Sequence, residues 1–368
     1  MNYMYRAINL AQRGRYTVSP NPMVGCVIEK NDVIVGEGWH RGYGFPHAEI
    51  EALKIAGQKA AGANLYVNLE PCCHFGKTPP CVDAIIKAKI KTVHVAIIDP
   101  NPLVNGAGIK KLRDAGVNVF IGNEAEAATL LNEKFIHFIK TKKPFVVAKW
   151  AMTLDGKIAT KTGNSKWITS EIARTHVHQL RQSLDAILVG ADTVIADDPE
   201  LTVKLANEIS PITKQPLRIV LDAKGRTPLN AKVYGYNNHC KTLVVTTTET
   251  SEAWCNTLKK NGIEVLVFEV NKTYKIDLNK LLLVLGKKQI SSLLIEGGAQ
   301  TLTGFFERKL INKIYTYIAP KIVGGKNSIS PISDLKIYEM VNALSLSFKE
   351  TEVFGDDRLL VSYPEWER

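Results

Sequence analysis

The sequence lacks the features of an exported or membrane-inserted protein. It contains no run of about 18 apolar residues, which argues against a membrane-spanning helix. Residues 1–22 show no basic start followed by an apolar stretch and a small-residue cleavage site, and their apolar spacing predicts an amphipathic helix instead. We therefore expect a cytoplasmic location, where thiols stay reduced.

Cysteine is scarce, and the basic residues form no concentrated tract. Six cysteines in 368 residues are too few for a disulfide scaffold. The net charge of +11 is spread over both halves of the chain, whereas a nucleic-acid-binding protein usually carries its basic residues in one patch. We therefore expect neither nucleic acid nor membrane as a partner, but a basic surface that suits anionic small molecules.

The apolar runs divide the chain into two alternating α/β blocks. The length is too great for one ordinary core. Pro144 ends a helix that we expect from about 125 to 141, so we place the domain boundary there, giving domains 1–143 and 144–368. Strands separated by helical stretches predict a mostly parallel, layered sheet in each domain. Ser170 is expected to cap a helix of the second domain.

Three of the six cysteines lie within the thirteen residues LEPCCHFGKTPPC, which end at Cys81. A Cys72–Cys81 disulfide is sterically allowed, but a reducing compartment disfavours it. With His47 upstream, the two cysteines complete a set of one imidazole and two thiolates, which in catalytic zinc sites leaves the fourth position open to water. Zinc lowers the pKa of such a water to about 7. Glu49, two residues past His47, is suited to move its proton without binding the metal.

Zinc deaminases carry H-x-E followed by P-C-x-x-C. HAE and EPC fit this pattern, but the next cysteine after Cys73 is Cys81, so the loop between the ligands is longer. SPNPMVGCV, HAE and PCCHFGKTPPC together resemble the deaminase half of the bifunctional riboflavin-biosynthesis deaminase–reductase family. The resemblance implies a cytidine-deaminase-like zinc domain at the N-terminus. It makes His47, Cys72 and Cys81 the ligands, and it makes Glu49 the catalytic proton shuttle.

The same resemblance implies a pocket for a pyrimidine that carries a ribose phosphate. A basic side chain can meet the phosphate, and an asparagine amide can pair with a pyrimidine edge. The residues that the resemblance assigns to this pocket are Asn21, His40, His74 and Lys77.

The second half contains a Gly297–Gly298 turn between an apolar strand and a helix, and free N–H groups at such a turn suit a pyrophosphate. No G-x-G-x-x-G follows a strand, so a Rossmann domain is not expected. KWAMTLDGKIA, SKWITS, LVGADTVIADDPELTV and IEGGAQTLTG resemble the reductase half of the same family, which implies a dihydrofolate-reductase-like α/β domain and NADPH. The implied cofactor contacts are Ala151, Trp167, Thr193, Asp197 and the Gly298–Gly304 segment. The implied substrate contacts are Ser165, Arg181, Leu201, Lys204 and Glu296.

The resemblance spans residues 1 to about 330 and implies one bifunctional enzyme. Its first step is the zinc-dependent hydrolytic deamination of 2,5-diamino-6-(5-phosphoribosylamino)pyrimidin-4(3H)-one. Its second step is NADPH-dependent reduction of the ribosyl to a ribityl side chain, with Lys149 as a candidate helper in sugar ring opening. A homo-oligomer is also expected. Lys204 stands where relatives often have Arg, and the two are not interchangeable at a bidentate phosphate site.

Three points stay open at the level of sequence. A nucleic-acid base deaminase with an appended RNA-binding domain would share the zinc motifs, although the lengthened ligand loop and the dispersed charge argue against it. A purely structural zinc module would need a fourth protein ligand, for which His74 is the nearby candidate. The sequence also shows no recognisable clamp for a 2′-phosphate, so the preference for NADPH over NADH is not decided.

Overall fold

The structure, a computed structural model, describes residues 1–75, 79–204, 214–235, 240–270 and 276–366. The chain forms two compact units, Met1–Lys143 and Pro144–Arg368. All six cysteines are free thiols. Within the described ranges, none of the helices has the length and apolar character needed to cross a membrane.

The first unit is built on a five-stranded sheet in the order β2-β1-β3-β4-β5. The strands are β1 (Gly25–Lys30), β2 (Val33–Trp39), β3 (Asn64–Leu69), β4 (Thr92–Ile97) and β5 (Asn118–Ile121). The helices are α1 (Tyr3–Ala11), α2 (Ala48–Ala56), α3 (Cys81–Lys87), α4 (Ala107–Asp114), α5 (Ala125–Leu131) and α6 (Glu133–Thr141). Strand β1 pairs antiparallel with β2 and β3, whereas β3, β4 and β5 are parallel. The prediction of a mostly parallel sheet is therefore wrong for this unit, because a hairpin opens the sheet.

Helix α2 lies directly against strand β2 because two glycines of the strand leave room for it. A Cβ atom on Gly38 would lie 2.4 Å from the carbonyl oxygen of Ala48, and one on Gly36 would lie 2.3 Å from that of Ala52. Any side chain at these positions would push the helix away from the sheet. The close approach thus sets where the first residues of α2 lie.

The helix expected from 125 to 141 is interrupted at Asn132, which is a correction to the sequence prediction. The Asn132 side chain accepts a hydrogen bond from the Met23 amide at 2.8 Å and donates one to the Met23 carbonyl at 2.9 Å. Asn132 is only 2% exposed, so this pair satisfies two backbone groups away from water. A contact with a residue more than a hundred positions earlier therefore divides α5 from α6.

The second unit is built on a nine-stranded sheet in the order β10-β9-β8-β7-β11-β6-β12-β14-β13. The strands are β6 (Phe145–Thr153), β7 (Ala186–Gly190), β8 (Leu217–Leu221), β9 (Thr242–Thr247), β10 (Glu264–Phe268), β11 (Ser292–Ile295), β12 (Lys313–Ala319), β13 (Leu346–Phe354) and β14 (Asp357–Pro364). The helices are α7 (Glu171–Gln182), α8 (Ala191–Asp197), α9 (Glu252–Lys260), α10 (Leu278–Lys287) and α11 (Ala299–Glu307). The strands from β10 to β12 run parallel, as the sequence predicts, and β14 and β13 add an antiparallel edge.

The parallel part of this sheet is covered on both faces, as β6 illustrates. Val146 and Ala148 belong to the cluster that includes residues of α10 and α11, whereas Phe145 and Val147 belong to the cluster that includes Leu180 of α7. Alternation with a period of two sends successive side chains of a strand to opposite faces. Burial on both faces explains why strands of this kind read as continuous apolar runs.

The structure corrects the sequence reading at two further places. The small and acidic residues after Gly190 predict a loop, but they form α8, because Ala191 and Val194 are buried. Residues 346–364, for which no elements were predicted, form the β13–β14 hairpin. Tertiary packing decides both cases, since neither segment has a strong local signal.

Candidate active sites

Two helix starts and one loop meet beyond the end of β3 in the first unit. His47 is the residue before α2, Cys81 is the first residue of α3 after Pro80, and Cys72 follows β3. The three potential ligand atoms lie within 4.8 Å of one another. His47 Nδ1 is 3.2 Å from Cys81 Sγ and 3.5 Å from Cys72 Sγ. One imidazole and two thiols at these separations fit a zinc site, whose metal–ligand distances are about 2.0–2.3 Å.

The thiols of this cluster influence each other. The pKa of the Cys72 thiol is lowered, first by a hydrogen bond with the Cys81 thiol and then by one with His47. The backbone N–H of Cys81, at the start of α3, also donates to Cys72 Sγ at 3.3 Å. The cluster therefore favours a thiolate, which is the form that binds a metal.

Glu49 lies beside the cluster on the first turn of α2. Its side chain is buried, with the residue only 3% exposed, and burial raises its pKa to about 7. Among the described residues, Oε2 of Glu49 finds no hydrogen-bond partner although it is buried. A buried carboxylate oxygen normally has a partner, so this atom points to a water or a substrate group at the site. A carboxyl group with a pKa near 7 can both accept and donate a proton at neutral pH.

His40 and Asn21 form a second layer next to the cluster. The His40 ring meets the His47 ring edge-on, with 5.5 Å between ring centroids. Its Nδ1 lies 3.2 Å from the carbonyl oxygen of Pro46, so Nδ1 donates, and Nε2 accepts from Asn21 Nδ2 at 3.2 Å. Burial lowers the pKa of His40, which agrees with a neutral ring in this tautomer. The neutral ring thereby orients the Asn21 amide.

The remaining residues assigned to this pocket lie in the loop after Cys72. His74 is half-buried, and its Nδ1 is buried without a hydrogen-bond partner in the described part of the chain. The metal-binding group found among the described residues has three members, and His74 is not one of them. Lys77 lies outside the described residues.

In the second unit, three charged side chains from different elements meet. Glu296 follows β11, Arg181 lies on α7 and Lys149 lies on β6. Arg181 donates to both carboxylate oxygens of Glu296, from Nε at 2.6 Å and from Nη2 at 2.8 Å, and Lys149 Nζ is 3.8 Å from Oε2. Burial opposes ionisation of Glu296, but the two cations outweigh it and lower the pKa to about 2. Burial lowers the pKa of Lys149.

Arg181 is thus paired with Glu296, and its Nη1 also donates to the carbonyl oxygen of Thr202 at 3.0 Å. A guanidinium has five N–H donors, so only its outer N–H groups are left for a substrate phosphate. Lys204, the other expected phosphate contact, forms an exposed ion pair with Glu200 at 2.9 Å. The Leu201 side chain is packed in the core, so a substrate contact would come from its backbone.

The carboxyl ends of two parallel strands, β7 and β11, lead into three of the regions assigned to the cofactor: Thr193, Asp197 and the Gly298–Gly304 segment. A Cβ atom on Gly297 would lie 3.0 Å from Thr193 Oγ1, and one on Gly298 would lie 3.1 Å from it. Gly298 also has a φ of 52°, which glycine adopts more readily than other residues. The turn therefore packs closely against Thr193 and leads directly into α11, whose first backbone N–H groups are of the kind that bind a pyrophosphate. Asp197 accepts a hydrogen bond from Ser165 at 3.2 Å, which joins one expected cofactor contact to one expected substrate contact.

Ala151 and Trp167 complete the expected cofactor contacts. Ala151 lies on β6, opposite Tyr317 of β12. The Trp167 ring is 63% exposed and packs against the guanidinium of Arg174, whose Cζ is 4.4 Å from the ring centroid. A flat, exposed aromatic face of this kind suits stacking against another ring.

Known proteins resemble the chain over nearly its full length. Residues 144–360 match the RibD C-terminal domain, and residues 1–97 match the cytidine and deoxycytidylate deaminase zinc-binding region. The riboflavin biosynthesis protein RibD of Actinobacillus pleuropneumoniae is 45% identical over 360 residues, which cover 98% of this chain and 94% of that protein. The RibD structure from Acinetobacter baumannii has a TM-score of 0.87 at 39% identity and covers 98% of both chains. The chain belongs to the RibD family.

A further RibD-like structure, from Thermotoga maritima, has a TM-score of 0.83 at 34% identity over 98% of this chain and 97% of that one. It is described as a diaminohydroxyphosphoribosylaminopyrimidine deaminase and 5-amino-6-(5-phosphoribosylamino)uracil reductase. Like its RibD relatives, the present protein is a bifunctional enzyme of riboflavin biosynthesis, a deaminase and a reductase that uses zinc and NADPH. The family, fold class and two activities expected from the sequence are confirmed.

Sequence reasoning missed one residue that organises the RibD deaminase site. Glu70, two residues before Cys72, is 3% exposed and accepts hydrogen bonds from the backbone amides that follow β4. The donors are Asp99 at 3.2 Å, Gly106 at 2.9 Å, Gly108 at 3.0 Å and Ile109 at 3.2 Å. The carboxylate thus holds the loop after β4 and the first turn of α4 in place next to the segment that carries Cys72. The EPC motif carries this residue, but its partners are remote in sequence.

His178 was missed in the RibD reductase site. It lies three residues before Arg181 on α7, and its Nδ1 accepts a hydrogen bond from the Lys204 amide at 3.1 Å. Burial and the adjacent Arg181 lower its pKa to about 4, so the ring is neutral at physiological pH. The spacing of three residues on a helix, which brings side chains onto one face, is the signal that could have identified it.

Proposed function

We propose that residues 1–143 hydrolyse the exocyclic amine of 2,5-diamino-6-(5-phosphoribosylamino)pyrimidin-4(3H)-one, and that residues 144–368 reduce the ribosyl chain of the deaminated product to ribityl. The proposal assigns each RibD activity to one of the two units. One observation carries the deaminase half of the proposal. A buried carboxylate oxygen of Glu49, which has no hydrogen-bond partner among the described residues, lies beside a cluster of one histidine and two cysteines.

In the deaminase, His47, Cys72 and Cys81 would hold zinc. Bound zinc lowers the pKa of a coordinated water to about 7. Glu49 would hold the proton that the attacking water gives up and would deliver it to the departing amine, a role that its pKa of about 7 supports. The buried position of Glu49 keeps bulk water from supplying that proton instead.

The substrate would be oriented by the layer around His40. Since His40 Nε2 accepts from the Asn21 amide nitrogen, the Asn21 carbonyl oxygen is the atom suited to accept a hydrogen bond from a pyrimidine N–H. The buried Nδ1 of His74 is suited to a second polar group of the ring or its sugar. Lys77 is proposed to bind the phosphate on the basis of the resemblance alone.

In the reductase, the Gly297–Gly298 turn, Thr193 and Asp197 would bind NADPH, with Ala151 and Trp167 as further contacts. NADPH supplies the hydride, so the protein must align the sugar and manage its proton. The ion pair with Arg181 holds the Glu296 carboxylate in one position. Lys149, whose pKa burial lowers, is suited to give a proton to the sugar ring oxygen as the ring opens.

The test is zinc analysis of the purified protein combined with two assays. Ammonia release from the diaminopyrimidine phosphate measures the first activity, and NADPH oxidation with the deaminated intermediate measures the second. Absence of bound zinc, or a disulfide between Cys72 and Cys81 in the active protein, would overturn the deaminase proposal. A homo-oligomer and a cytoplasmic location stay predictions.

A further inference from the structure

Asn21, the expected pyrimidine contact, lies in a short segment, residues 18–25, that belongs to no helix and joins the sheet only where β1 begins at Gly25. Within the segment, the Asn21 amide donates to the Val18 carbonyl oxygen at 2.8 Å. A stretch without strand pairing must satisfy its other backbone groups through contacts with the rest of the chain. Those contacts decide where the Asn21 side chain is held.

Asn68, near the end of β3, supplies two of these contacts. Its Oδ1 accepts from the Gly25 amide at 2.8 Å, and its Nδ2 donates to the Met23 carbonyl oxygen at 2.9 Å. Asn68 is 0% exposed, so both bonds are made away from water. Removing a partner from a buried polar group is more destabilising than removing it from an exposed one. Asn68 therefore fixes the end of the segment firmly.

Asn132, between α5 and α6, holds the same residue from a different element. Its Nδ2 donates to the Met23 carbonyl oxygen at 2.9 Å, and its Oδ1 accepts from the Met23 amide at 2.8 Å. The Met23 carbonyl oxygen thus accepts from two buried side-chain amides. Both backbone groups of Met23 are fixed only two residues after Asn21.

His40 connects this fixed end back to the Asn21 side chain. The His40 amide donates to the Val24 carbonyl oxygen at 2.9 Å, while its ring Nε2 accepts from Asn21 Nδ2 at 3.2 Å. The backbone at Val24 and the ring that orients Asn21 therefore cannot move independently. A shift of the segment would displace the Asn21 amide as well.

The stretch that begins at Asn68 also leads to a metal ligand. Cys72 follows Asn68 by four residues, and Glu70 between them accepts hydrogen bonds from four backbone amides. Asn68 thus links the segment that carries Asn21 to the stretch that carries Cys72. Deamination requires the ring carbon to lie next to the activated water, and a displacement of about 1 Å can slow a reaction by about 100-fold.

We propose that Asn68 and Asn132 are positioning residues of the deaminase, which hold Asn21 at the correct distance from the zinc ligands. This inference rests on the proposed contact of Asn21 with the pyrimidine. Neither residue was assigned to the site from the sequence. They act through the backbone of Met23 and touch neither the substrate nor the metal ligands.

The experiment is a double-mutant cycle on kcat/KM for ammonia release, with zinc content measured for every variant. We expect Asn21→Ala to lower kcat/KM by about 10- to 100-fold, because a buried hydrogen bond to the substrate is lost. Asn68→Ala should lower it by about tenfold or more, with full zinc and with NADPH oxidation within about twofold of wild type. If Asn68 acts through Asn21, the double variant should match Asn21→Ala within about threefold, because coupled residues do not act additively. Asn132→Ala should behave as Asn68→Ala does.

The matched control is Asn64→Ala, which removes an amide from the same strand whose Nδ2 donates to Glu29 Oε2 at 2.9 Å. It should change kcat/KM by less than about twofold. Loss of zinc in Asn68→Ala, or effects of Asn21→Ala and Asn68→Ala that multiply in the double variant, would mean that Asn68 only supports the fold and would overturn the proposal.

Wild-type activity of Asn21→Ala would instead refute the pyrimidine contact, and the positioning role with it. Normal activity of Asn68→Ala beside an impaired Asn21→Ala would overturn the positioning role alone and leave the deaminase proposal intact. If Asn68→Ala melts below the assay temperature, the same cycle with the milder Asn68→Ser, which keeps a small polar group, decides the matter.

Discussion

Two buried glutamates, one in each unit, have pKa values that are shifted in opposite directions. Glu49 is 3% exposed, and burial raises its pKa to about 7. The Glu296 side chain is 6% exposed, yet its pKa is lowered to about 2, because Arg181 and Lys149 outweigh the same burial. The first carboxyl group is therefore suited to exchange a proton at neutral pH, and the second to stay ionised. The neighbours of a buried acid, more than its burial, decide which role it can take.

The two sites also differ in how they are assembled. The deaminase residues come from two short motifs, because His47 and Glu49 share one helix start and the two cysteines share one loop. The reductase network is formed by β6, α7 and the end of β11, which are far apart in the chain. We expect the two sites to fail independently, and the following predictions test this, beginning with the largest effect.

Cys72→Ser should remove zinc and abolish deamination, a loss of more than about 1,000-fold, because the metal is the source of the activated water. Reduction of supplied deaminated intermediate should stay within about twofold, since the reductase residues belong to the other unit and none of them is a zinc ligand. Zinc content by mass spectrometry, ammonia release and NADPH oxidation are the three measurements. The control is Cys73→Ser, which changes the adjacent thiol outside the ligand cluster and should keep zinc. Loss of both activities in a folded Cys72→Ser protein would contradict independence.

Glu49→Gln should keep zinc but slow deamination by about 100- to 10,000-fold, because the amide has the size of the carboxyl group and cannot exchange the proton. Steady-state ammonia release together with zinc content measures this. Glu51→Gln is the matched control, since Glu51 lies on the same helix turn and pairs with Arg41 at 3.4 Å. Wild-type activity of Glu49→Gln would refute the proton-shuttle role.

Glu296→Gln should destabilise the second unit by about 3–5 kcal/mol, because it leaves Arg181 and Lys149 buried without their carboxylate. It should also lower the reductase activity and leave zinc content and deamination unchanged. Urea unfolding followed by both activities distinguishes these effects. Glu264→Gln removes an exposed partner of Lys288 and should change stability by less than about 1 kcal/mol. Equal effects of the two substitutions would mean that the network is not a buried one.

The free energy of unfolding should depend on pH through the lowered pKa of Glu296. Between its usual pKa of 4.5 and the folded value of about 2, the unfolded chain binds a proton that the folded chain does not. Stability therefore rises with pH in this range: the contribution of Glu296, up to about 3 kcal/mol, is complete above the usual pKa and is lost as the pH falls towards 2. Urea unfolding from about pH 6 to pH 3 should show the gap between wild type and Glu296→Gln narrowing in acid. A constant gap would argue against the lowered pKa.

Local patterns in the sequence predicted those features that depend on neighbours along the chain. The Ser170 cap is confirmed, since its Oγ accepts from the Ala173 amide at 3.3 Å. Two apolar runs on either side of Lys30-Asn31-Asp32 predict a hairpin, and β1 and β2 form it, with Asn31 and Asp32 in the left-handed region at φ values of 54° and 62°. The helix break at Asn132, helix α8 and the β13–β14 hairpin were not predicted, because each depends on contacts with distant parts of the chain.

The sequence by itself determined the family, the two activities and the identity of the candidate zinc ligands, because a metal site is defined by side-chain chemistry at short, fixed spacings. Only the tertiary structure decided which carboxylates are buried, which cations accompany them, and which loop Glu70 holds. It alone brought Asn68 and Asn132 together on the backbone of Met23. Electrostatic effects fall with distance and grow as water is excluded, and neither distance nor exclusion of water can be read from the order of residues.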